Sequence, residues 1–250
     1  MKLVRYTVLA GGFLLLWQLL VTVTAVPPYI LPGPLPVLRA IIGHIPVLSG
    51  HLLITLAEIL LGLSIGTILG SCCALVMIIL PMIRPWMLPI LVVSQAIPVF
   101  ALAPLLVLWF GYGMPSKVAM AVLIIFFPVT SSFYYGMRRT DPDILDLARI
   151  MGARPLNILR HILIPSALPS FASGVRVAAA VAPIGAVVGE WVGSSAGLGF
   201  YMLHSNARMQ TDLMFAALTL LSLTSVILYF SIDSLMNRLL YWEKTTHEDY

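Results

Sequence analysis

The amino-acid sequence predicts an all-α integral membrane protein, and three observations lead to that prediction. Of its 250 residues, 60% are hydrophobic and only 10% are charged, whereas a soluble domain contains about 25% charged residues. The apolar residues form several runs of about 18 residues or more, long enough for a helix to cross a bilayer. Many of the charged residues, in contrast, lie between residues 137 and 170. A chain of this composition would expose extensive apolar surface in water, so a soluble fold is excluded.

Six apolar segments are predicted to span the membrane, at about residues 6–26, 51–80, 87–110, 118–136, 171–188 and 213–236. A cleaved signal peptide is the alternative for the first segment. We favour a retained span because this stretch is about 20 residues long and includes Trp17 and Gln18. Residues 27–34 are too rich in proline for a helix interior. Residues 35–50 are expected to form a short interfacial helix, and residues 189–211 a polar, glycine-rich loop.

The second span contains small residues at a regular spacing. Gly62, Gly66 and Gly70 recur every four residues, which places them on one helix face where another helix can pack closely against the backbone. Cys72 and Cys73 follow them in the same apolar run. Because these cysteines are adjacent and have no metal-ligand spacing, we interpret them as small buried hydrophobic residues.

The distribution of basic residues predicts the orientation. Six spans put both termini on one side of the membrane. If that side is cytoplasmic, the outer segments contain only Arg39, Lys117 and Arg208, and the inner segments contain Lys2, Arg5, Arg84, Arg138, Arg139, Arg149, Arg154, Arg160, Arg238 and Lys244. Because Lys and Arg accumulate on the cytoplasmic side, both termini and residues 137–170 are predicted to be cytoplasmic.

Motifs that would indicate an enzyme are absent from the sequence. No lysine follows a glycine in the G-x-x-x-x-G-K-[ST] pattern, so the chain is not expected to hydrolyse ATP itself. No serine lies in G-x-S-x-G, and the five histidines are scattered, without the H-E-x-x-H pattern or a cysteine partner that would indicate a metal site. We therefore expect no cofactor, no metal and no nucleic-acid partner, and we favour a transport protein or a scaffold.

Residues 137–170 are predicted to form a cytoplasmic loop with two short helices. Asp143 is expected to cap the first helix, and Gly152 to permit a sharp turn with a positive φ. Pro155 suits the first turn of the second helix, which Pro165 and Pro169 are expected to end. From the residues alone, an ordinary interfacial loop remains the alternative.

The spacing in this loop resembles the EAA signature, E-A-A-x₃-G-x₉-I-x-L-P, of ABC-transporter permeases that work with a binding protein. The matching positions are Asp146, Leu147, Ala148, Gly152, Ile162 and Pro165, with Asp for Glu, Leu for Ala, and Ile164 for Leu. Nearly the whole chain is similar to the nitrate, taurine and aliphatic-sulfonate branch. That similarity lies in residues 31–34, 103–111, 116–117, 126–128, 152–153, 164–169, 189–190 and 197–199.

The resemblance implies a fold and a set of partners. It implies one transmembrane domain over residues 1–250, of the type I ABC importer (MetI-like) kind, in a bacterial inner membrane. Two permeases, commonly a homodimer, would form the pathway through the lipid membrane, and a periplasmic or lipid-anchored binding protein would deliver the substrate. A separate cytoplasmic ATPase would use ATP and dock on a coupling helix within residues 137–170. The coupling residues would be Asp146, Leu147, Ala148, Gly152, Ala153, Ile162 and Pro165.

Polar residues in the spans are the candidates for the substrate pathway, since buried carboxylates in a membrane usually face a cavity or a partner. They are Glu58, Gln95 and Glu190, with Trp191 next to the last of them. A structural hydrogen bond between helices is the alternative for Glu58 and Gln95. The family often has an acid at the position of Glu190, which implies architecture or gating there. An interfacial anchor is the alternative for Trp191.

Residues 189–195 and 204–215 resemble permeases for thiamine-precursor pyrimidines, that is, hydroxymethylpyrimidine and its formylamino relatives. Uptake of a sulfonate, taurine or nitrate is the alternative. An ion-coupled secondary carrier that uses Glu58 and Glu190 is a different class of protein, and it would be favoured by inverted repeats, which the sequence does not show.

Overall fold

The computed structural model describes residues 2–242, apart from the side chains of residues 2–7 and 10. This part of the chain is helical and contains no strand. Its helices are α1 (Lys2–Thr24), α2 (Pro34–Gly43), α3 (Ile45–Ile79), α4 (Arg84–Ala96), α5 (Val99–Phe110), α6 (Met114–Arg138), α7 (Pro142–Ile150), α8 (Pro155–Gly193), α9 (Leu198–Ala207) and α10 (Thr211–Leu239).

Four of these helices, α3, α6, α8 and α10, are long and apolar enough to cross a membrane. The pair α4 and α5 makes a fifth if the two helices are counted as one bent span. In α1 the apolar part described in full, Gly11–Thr24, is shorter than a span. Trp17 of α1 lies against α10, with its ring centroid 6.1 Å from that of Phe215. An all-α protein with several membrane helices is therefore confirmed, and the sixth span and the cytoplasmic termini stay predictions.

The third predicted span is not one straight helix. Its two halves, α4 and α5, meet at an angle of 101°. Pro98 follows the break, and Ile97 before it is extended, with ψ 122°. The pyrrolidine ring disfavours the helical conformation for the residue that precedes it, so the helix is interrupted and the chain bends at this point.

Two predicted helix ends within α8 are wrong, the end at Pro165 and Pro169 and the end of the fifth span at residue 188. The helix runs through Pro165 and Pro169, which were expected to end it, and it continues to Gly193, inside the predicted loop of residues 189–211. A wider π-helical stretch at Leu159–Leu163 comes immediately before Pro165. A proline ring clashes with the carbonyl group four residues earlier in an α-helix, and the π-helical stretch lies where the Pro165 ring would meet the carbonyl of His161. A further helix, α9, occupies most of the remaining predicted loop.

The centre of the fold is α6, which packs against α3 on one side and α8 on the other. Gly62, Gly66 and Gly70 face α6: a Cβ atom built at Gly62 would lie only 2.4 Å from Cβ of Ala121. Small residues on α8 make the other contact, where a Cβ atom at Gly185 would lie 2.7 Å from the Cα atom of Ala121. Because these glycines of α3 and α8 have no side chain, the backbones of α3, α6 and α8 approach one another closely. Membrane helices pack in this way when small residues line their interface.

The outside of the bundle is apolar, with many large hydrophobic side chains exposed on α1, α3, α5 and α10. Such a surface fits hydrocarbon rather than water. Cys72 belongs to this exposed surface and Cys73 is half-buried, so the interpretation of both as buried residues is wrong. The predicted position of Lys117 in an outer loop is wrong, because α6 begins at Met114 and Lys117 is only 4% exposed.

Candidate functional site

The segment proposed for coupling begins with α7, a nine-residue helix capped by Asp141. The backbone N–H of Asp143 donates to the carboxylate of Asp141 at 2.9 Å, so Asp141, and not Asp143, is the cap. Pro142 explains the shift, because a proline fits the first helical position and its missing N–H is not needed there. Asp143 then lies in the first turn, where its negative charge interacts favourably with the helix dipole.

The turn after α7 has the predicted geometry. Gly152 has a φ of +79°, a conformation open to glycine without strain. The N–H of Gly152 donates to Arg149 at 2.9 Å and the N–H of Ala153 donates to Ala148 at 3.0 Å, which satisfies carbonyl groups at the end of α7. Pro155 starts α8 as predicted. The local conformation of this elbow is confirmed, and its coupling role stays a prediction.

The surface of α7 and the elbow is apolar although it lies outside the packed bundle. No residue of α7 is buried. The exposed hydrophobic side chains are Ile144, Leu147, Ile150, Met151 and Leu156, with exposures of 49%, 59%, 84%, 78% and 70%. An exposed pair, Arg149 with Asp146 at 2.8 Å, lies among them. Several exposed apolar side chains close together in the chain, with charged neighbours, mark a site of contact with a protein or with the membrane surface.

A cavity of about 510 Å³ adjoins the elbow, between the end of α3 and the start of α8. Its lining includes Ile79, Ala153 and Leu156. Among the remaining predicted coupling residues, Asp146 and Pro165 are exposed, and Ala148 and Ile162 are half-buried. All seven predicted coupling residues therefore lie along one continuous segment, from α7 to the first turns of α8.

A second group of polar residues is buried inside the bundle. The Nζ atom of Lys117 lies 2.7 Å from Oε1 of Glu58, and the residues are 4% and 0% exposed. Two charges without water are stable only when they are paired in good geometry. Within the described residues, Oε2 of Glu58 has no hydrogen-bond partner. The ion pair with Lys117 is therefore needed to offset the cost of burying this carboxylate.

The carboxylate of Glu190 holds the start of α9. It accepts hydrogen bonds from the hydroxyl group of Thr55 at 2.6 Å and from the backbone N–H of Gly199. Thr55 in turn accepts from the N–H of Leu198 at 2.8 Å, and Nδ1 of His51 accepts from the N–H of Gly197 at 3.0 Å. These partners satisfy N–H groups that a helix start leaves free, and the negative charge suits the positive end of the helix dipole.

The four predicted pathway residues are not brought together. Glu58 and Glu190 are neighbours in the interior of the bundle. Gln95 is exposed near the end of α4, and Trp191 is 49% exposed on α8. No group of His, Cys, Asp or Glu able to hold a metal occurs among the described residues. The pathway role of the four residues stays a prediction. In the structure, the carboxylates of Glu58 and Glu190 each form a hydrogen bond to another helix.

Sequence reasoning missed Thr55, His51 and Lys117 as members of this buried group. One signal was present for Lys117, since a carboxylate such as Glu58 in an apolar span requires a cation or a proton nearby. Thr55 and His51 gave no such signal, because their partners lie more than 130 residues away in the chain.

The family model for the binding-protein-dependent transport system inner membrane component matches residues 62–240. A probable ABC transporter permease of Haemophilus influenzae is 52% identical over 96% of this chain and 98% of its own length. The formylaminopyrimidine transport permease ThiX of Halalkalibacterium halodurans is 40% identical over 87% of each chain.

Two further relatives carry other names. The riboflavin permease RibX of Chloroflexus aurantiacus is 36% identical over 92% of this chain and 87% of its own. The taurine permease TauC of Escherichia coli is 28% identical over 92% and 86%.

A chain of the MetNI methionine ABC transporter, solved in inward-facing conformations, has the same fold. The match has a TM-score of 0.66 and covers 78% of this chain and 97% of that one, at 17% identity. The MetI-like fold expected from the resemblance is thereby supported. The chain belongs to the binding-protein-dependent transport system inner membrane component family and is a multi-pass ABC transporter permease.

Proposed function

We propose that the chain is the pathway-forming subunit of an importer in a bacterial inner membrane, driven by a separate ATPase and supplied by a binding protein. The observation that supports the ATPase partner is the apolar surface of α7 and the elbow. Leu147, Ile150 and Met151 are 59%, 84% and 78% exposed, on a segment with charged residues that does not enter the bundle. A cytoplasmic protein that buries these side chains would gain about 25 cal/mol for each Å² removed from water.

For the substrate we propose a small formylaminopyrimidine-type thiamine precursor. The 40% identity to a permease named for formylaminopyrimidine supports this choice. The relative named for taurine is 28% identical and supports the sulfonate alternative less strongly. The relative named for riboflavin, at 36%, makes a larger nitrogen heterocycle the second candidate.

The buried group of charges favours a permease over an ion-coupled carrier. A carrier that moves protons or sodium ions through Glu58 and Glu190 would need both carboxylates to gain and lose a cation during each cycle. Here Glu58 is paired with Lys117, and Glu190 accepts from Thr55 and from the start of α9. Both carboxylates therefore contribute to packing of the helices.

Uptake into vesicles tests the proposal. The permease is reconstituted with the ATPase and the binding protein from neighbouring genes, and accumulation of a labelled formylaminopyrimidine is measured with and without ATP. We expect accumulation that requires all three proteins and ATP. Accumulation by the permease alone, driven by an ion gradient, would contradict the importer. Accumulation of labelled riboflavin or taurine, but not of the labelled pyrimidine, would replace the proposed substrate.

A further inference from the structure

A cleft with a volume of about 620 Å³ lies between the C-terminal half of α6 and the start of the membrane part of α8. It is lined by Phe127, Ser131, Ser132, Tyr135, Gly136, Arg139, Pro169, Ser170 and Ser173. Five of these nine side chains bear a hydroxyl group, and none is acidic. Most of the bundle surface is apolar, although a second groove, on α10, also contains two serines, Ser231 and Ser234.

Ser131 of the cleft donates to the carbonyl of Pro128 at 3.4 Å, but the other serine hydroxyl groups of the cleft are free to bind something else. Serine and threonine in a membrane helix commonly donate to the carbonyl group four residues earlier, as Ser71 and Ser225 do here at 2.7 and 2.8 Å. Ser132, Ser170 and Ser173 have no side-chain hydrogen bond within the described part of the chain. An unpartnered hydroxyl group facing hydrocarbon is unfavourable, so water or a polar solute is the better neighbour for this cleft.

The cleft lies in the half of the bundle that is next to the coupling segment. Ser132 is six residues before the end of α6 at Arg138, which is about 9 Å at a rise of 1.5 Å per residue. At the base of the cleft the two helices touch, since a Cβ atom at Gly136 would lie 2.7 Å from Cβ of Ser170. Arg139 is exposed at the mouth.

The exposed face of α8 continues from the cleft toward the other side of the membrane. Val177, Ile184 and Trp191 follow Ser170 at seven-residue spacing and are 52%, 57% and 49% exposed. Residues at this spacing lie on nearly the same side of a helix. One face of α8 is thus polar at the end next to the coupling segment and apolar beyond it.

Resting on the proposed function, we infer that this cleft is a solute-binding site on the inner part of the pathway, and that it takes a small uncharged ring with both hydrogen-bond donors and acceptors. A serine hydroxyl group both donates and accepts, which suits the amino groups and ring nitrogens of an aminopyrimidine. The rings of Phe127 and Tyr135 offer faces for stacking. The volume lies within the range of small-molecule sites, roughly 300–1,000 Å³.

Uptake kinetics test the ligand contact. In the complete importer in vesicles, each of Ser132→Ala, Ser170→Ala and Ser173→Ala is expected to slow uptake of a formylaminopyrimidine by about fivefold, the effect of one lost hydrogen bond. Ser71→Ala is the matched control, because its hydroxyl group is bound to the carbonyl of Thr67. Unchanged uptake in all three cleft variants would overturn the inference.

Cysteine labelling tests the cleft without relying on the substrate. Cys72 and Cys73 are first replaced by serine, and Ser170→Cys or Ser173→Cys is added. A charged maleimide applied from the cytoplasmic side is expected to modify both new cysteines but not Leu223→Cys, which replaces a 55% exposed apolar residue on α10. Added formylaminopyrimidine is expected to slow the reaction in the cleft. Failure of the maleimide to react, or reaction that the pyrimidine does not slow, would overturn the inference.

The two proposals fail differently. If the unmodified importer does not accumulate the pyrimidine at all, the proposed substrate is wrong, and the proposed ligand of the cleft falls with it. The maleimide reaction then still shows whether the cleft opens to water. If the importer accumulates the pyrimidine while the cleft variants behave as Ser71→Ala does, the proposed function stands and the cleft is not the binding site.

Discussion

Lys117 and Glu58 form an ion pair with an Nζ–Oε1 distance of 2.7 Å, and both side chains are almost completely enclosed by protein. Lys117 belongs to the first turn of α6 and Glu58 to the middle of α3. The pair therefore adds a polar contact between two helices that also meet through glycines and apolar side chains.

Removal of one charge from this pair is expected to destabilise the bundle strongly. Lys117→Met leaves the carboxylate of Glu58 buried without a cation, which costs about 3–5 kcal/mol when a buried pair is broken. Thermal unfolding of the purified protein in detergent measures the loss. The double variant Glu58→Gln with Lys117→Met should recover much of the stability, because neither of these two positions then holds a buried charge without its partner.

The exposed pair of Asp146 and Arg149 is the control for that experiment, since its side chains are 64% and 66% exposed. Arg149→Met should leave the unfolding temperature nearly unchanged, because exposed pairs contribute little. Equal losses for Lys117→Met and Arg149→Met would contradict the structural role of the buried pair.

The link between α3, α8 and α9 depends on the hydroxyl group of Thr55. This group donates to Glu190 and accepts from the N–H of Leu198. Thr55→Val keeps the shape of the side chain but removes the partner of Oε1 of Glu190 and of the N–H of Leu198, at about 1–3 kcal/mol for each buried polar group left unsatisfied. Thr55→Ser retains the hydroxyl group and is expected to stay close to the native stability. We expect proteolysis between α8 and α9 to become faster only in the valine variant, and equal rates in both variants would refute the role of this hydroxyl group.

The glycine face of α3 predicts an unusual response to alanine. Gly62→Ala places a methyl group 2.4 Å from Cβ of Ala121, and overpacking of this kind costs about 1–3 kcal/mol. Gly50→Ala meets no atom within 4 Å, and alanine is the better helix former by about 1 kcal/mol. Unfolding temperatures should thus move in opposite directions for two identical changes in one helix, and a loss at both sites would argue against the close approach of α3 and α6.

The elbow at Gly152 is expected to be needed for coupling. A Cβ atom there would have open space, so the obstacle to substitution is the φ of +79°. Gly152→Val should lower uptake per ATP hydrolysed by roughly tenfold, the equivalent of about 1–2 kcal/mol of backbone strain. Asparagine tolerates a positive φ, so Gly152→Asn should retain more uptake than Gly152→Val. The comparison uses vesicles that contain the complete importer, and normal uptake by the valine variant would remove the coupling assignment.

Local chemistry explains most of what could be read from the chain alone. Apolar runs and scarce charges predict membrane helices, because whether a segment can span a membrane depends on the composition of that segment alone. Gly152 and Pro155 predict an elbow for the same reason, since a positive φ and a missing N–H are properties of single residues. The spacing from Asp146 to Pro165 resembles a family signature, and the family match confirms the class of protein.

What the sequence determined by itself was thus the class of fold, the elbow and the family, all of which follow from short-range patterns. Only the tertiary structure decided that α8 continues past Pro165 and Pro169, that Lys117 is buried, and that the serines of α6 and α8 share one cleft. Each of these depends on contacts between residues far apart in the chain. Glu58 and Lys117 are 59 positions apart, and no local pattern records their pairing. The attraction between the two charges must offset the removal of water from both, which happens only when the fold encloses them together.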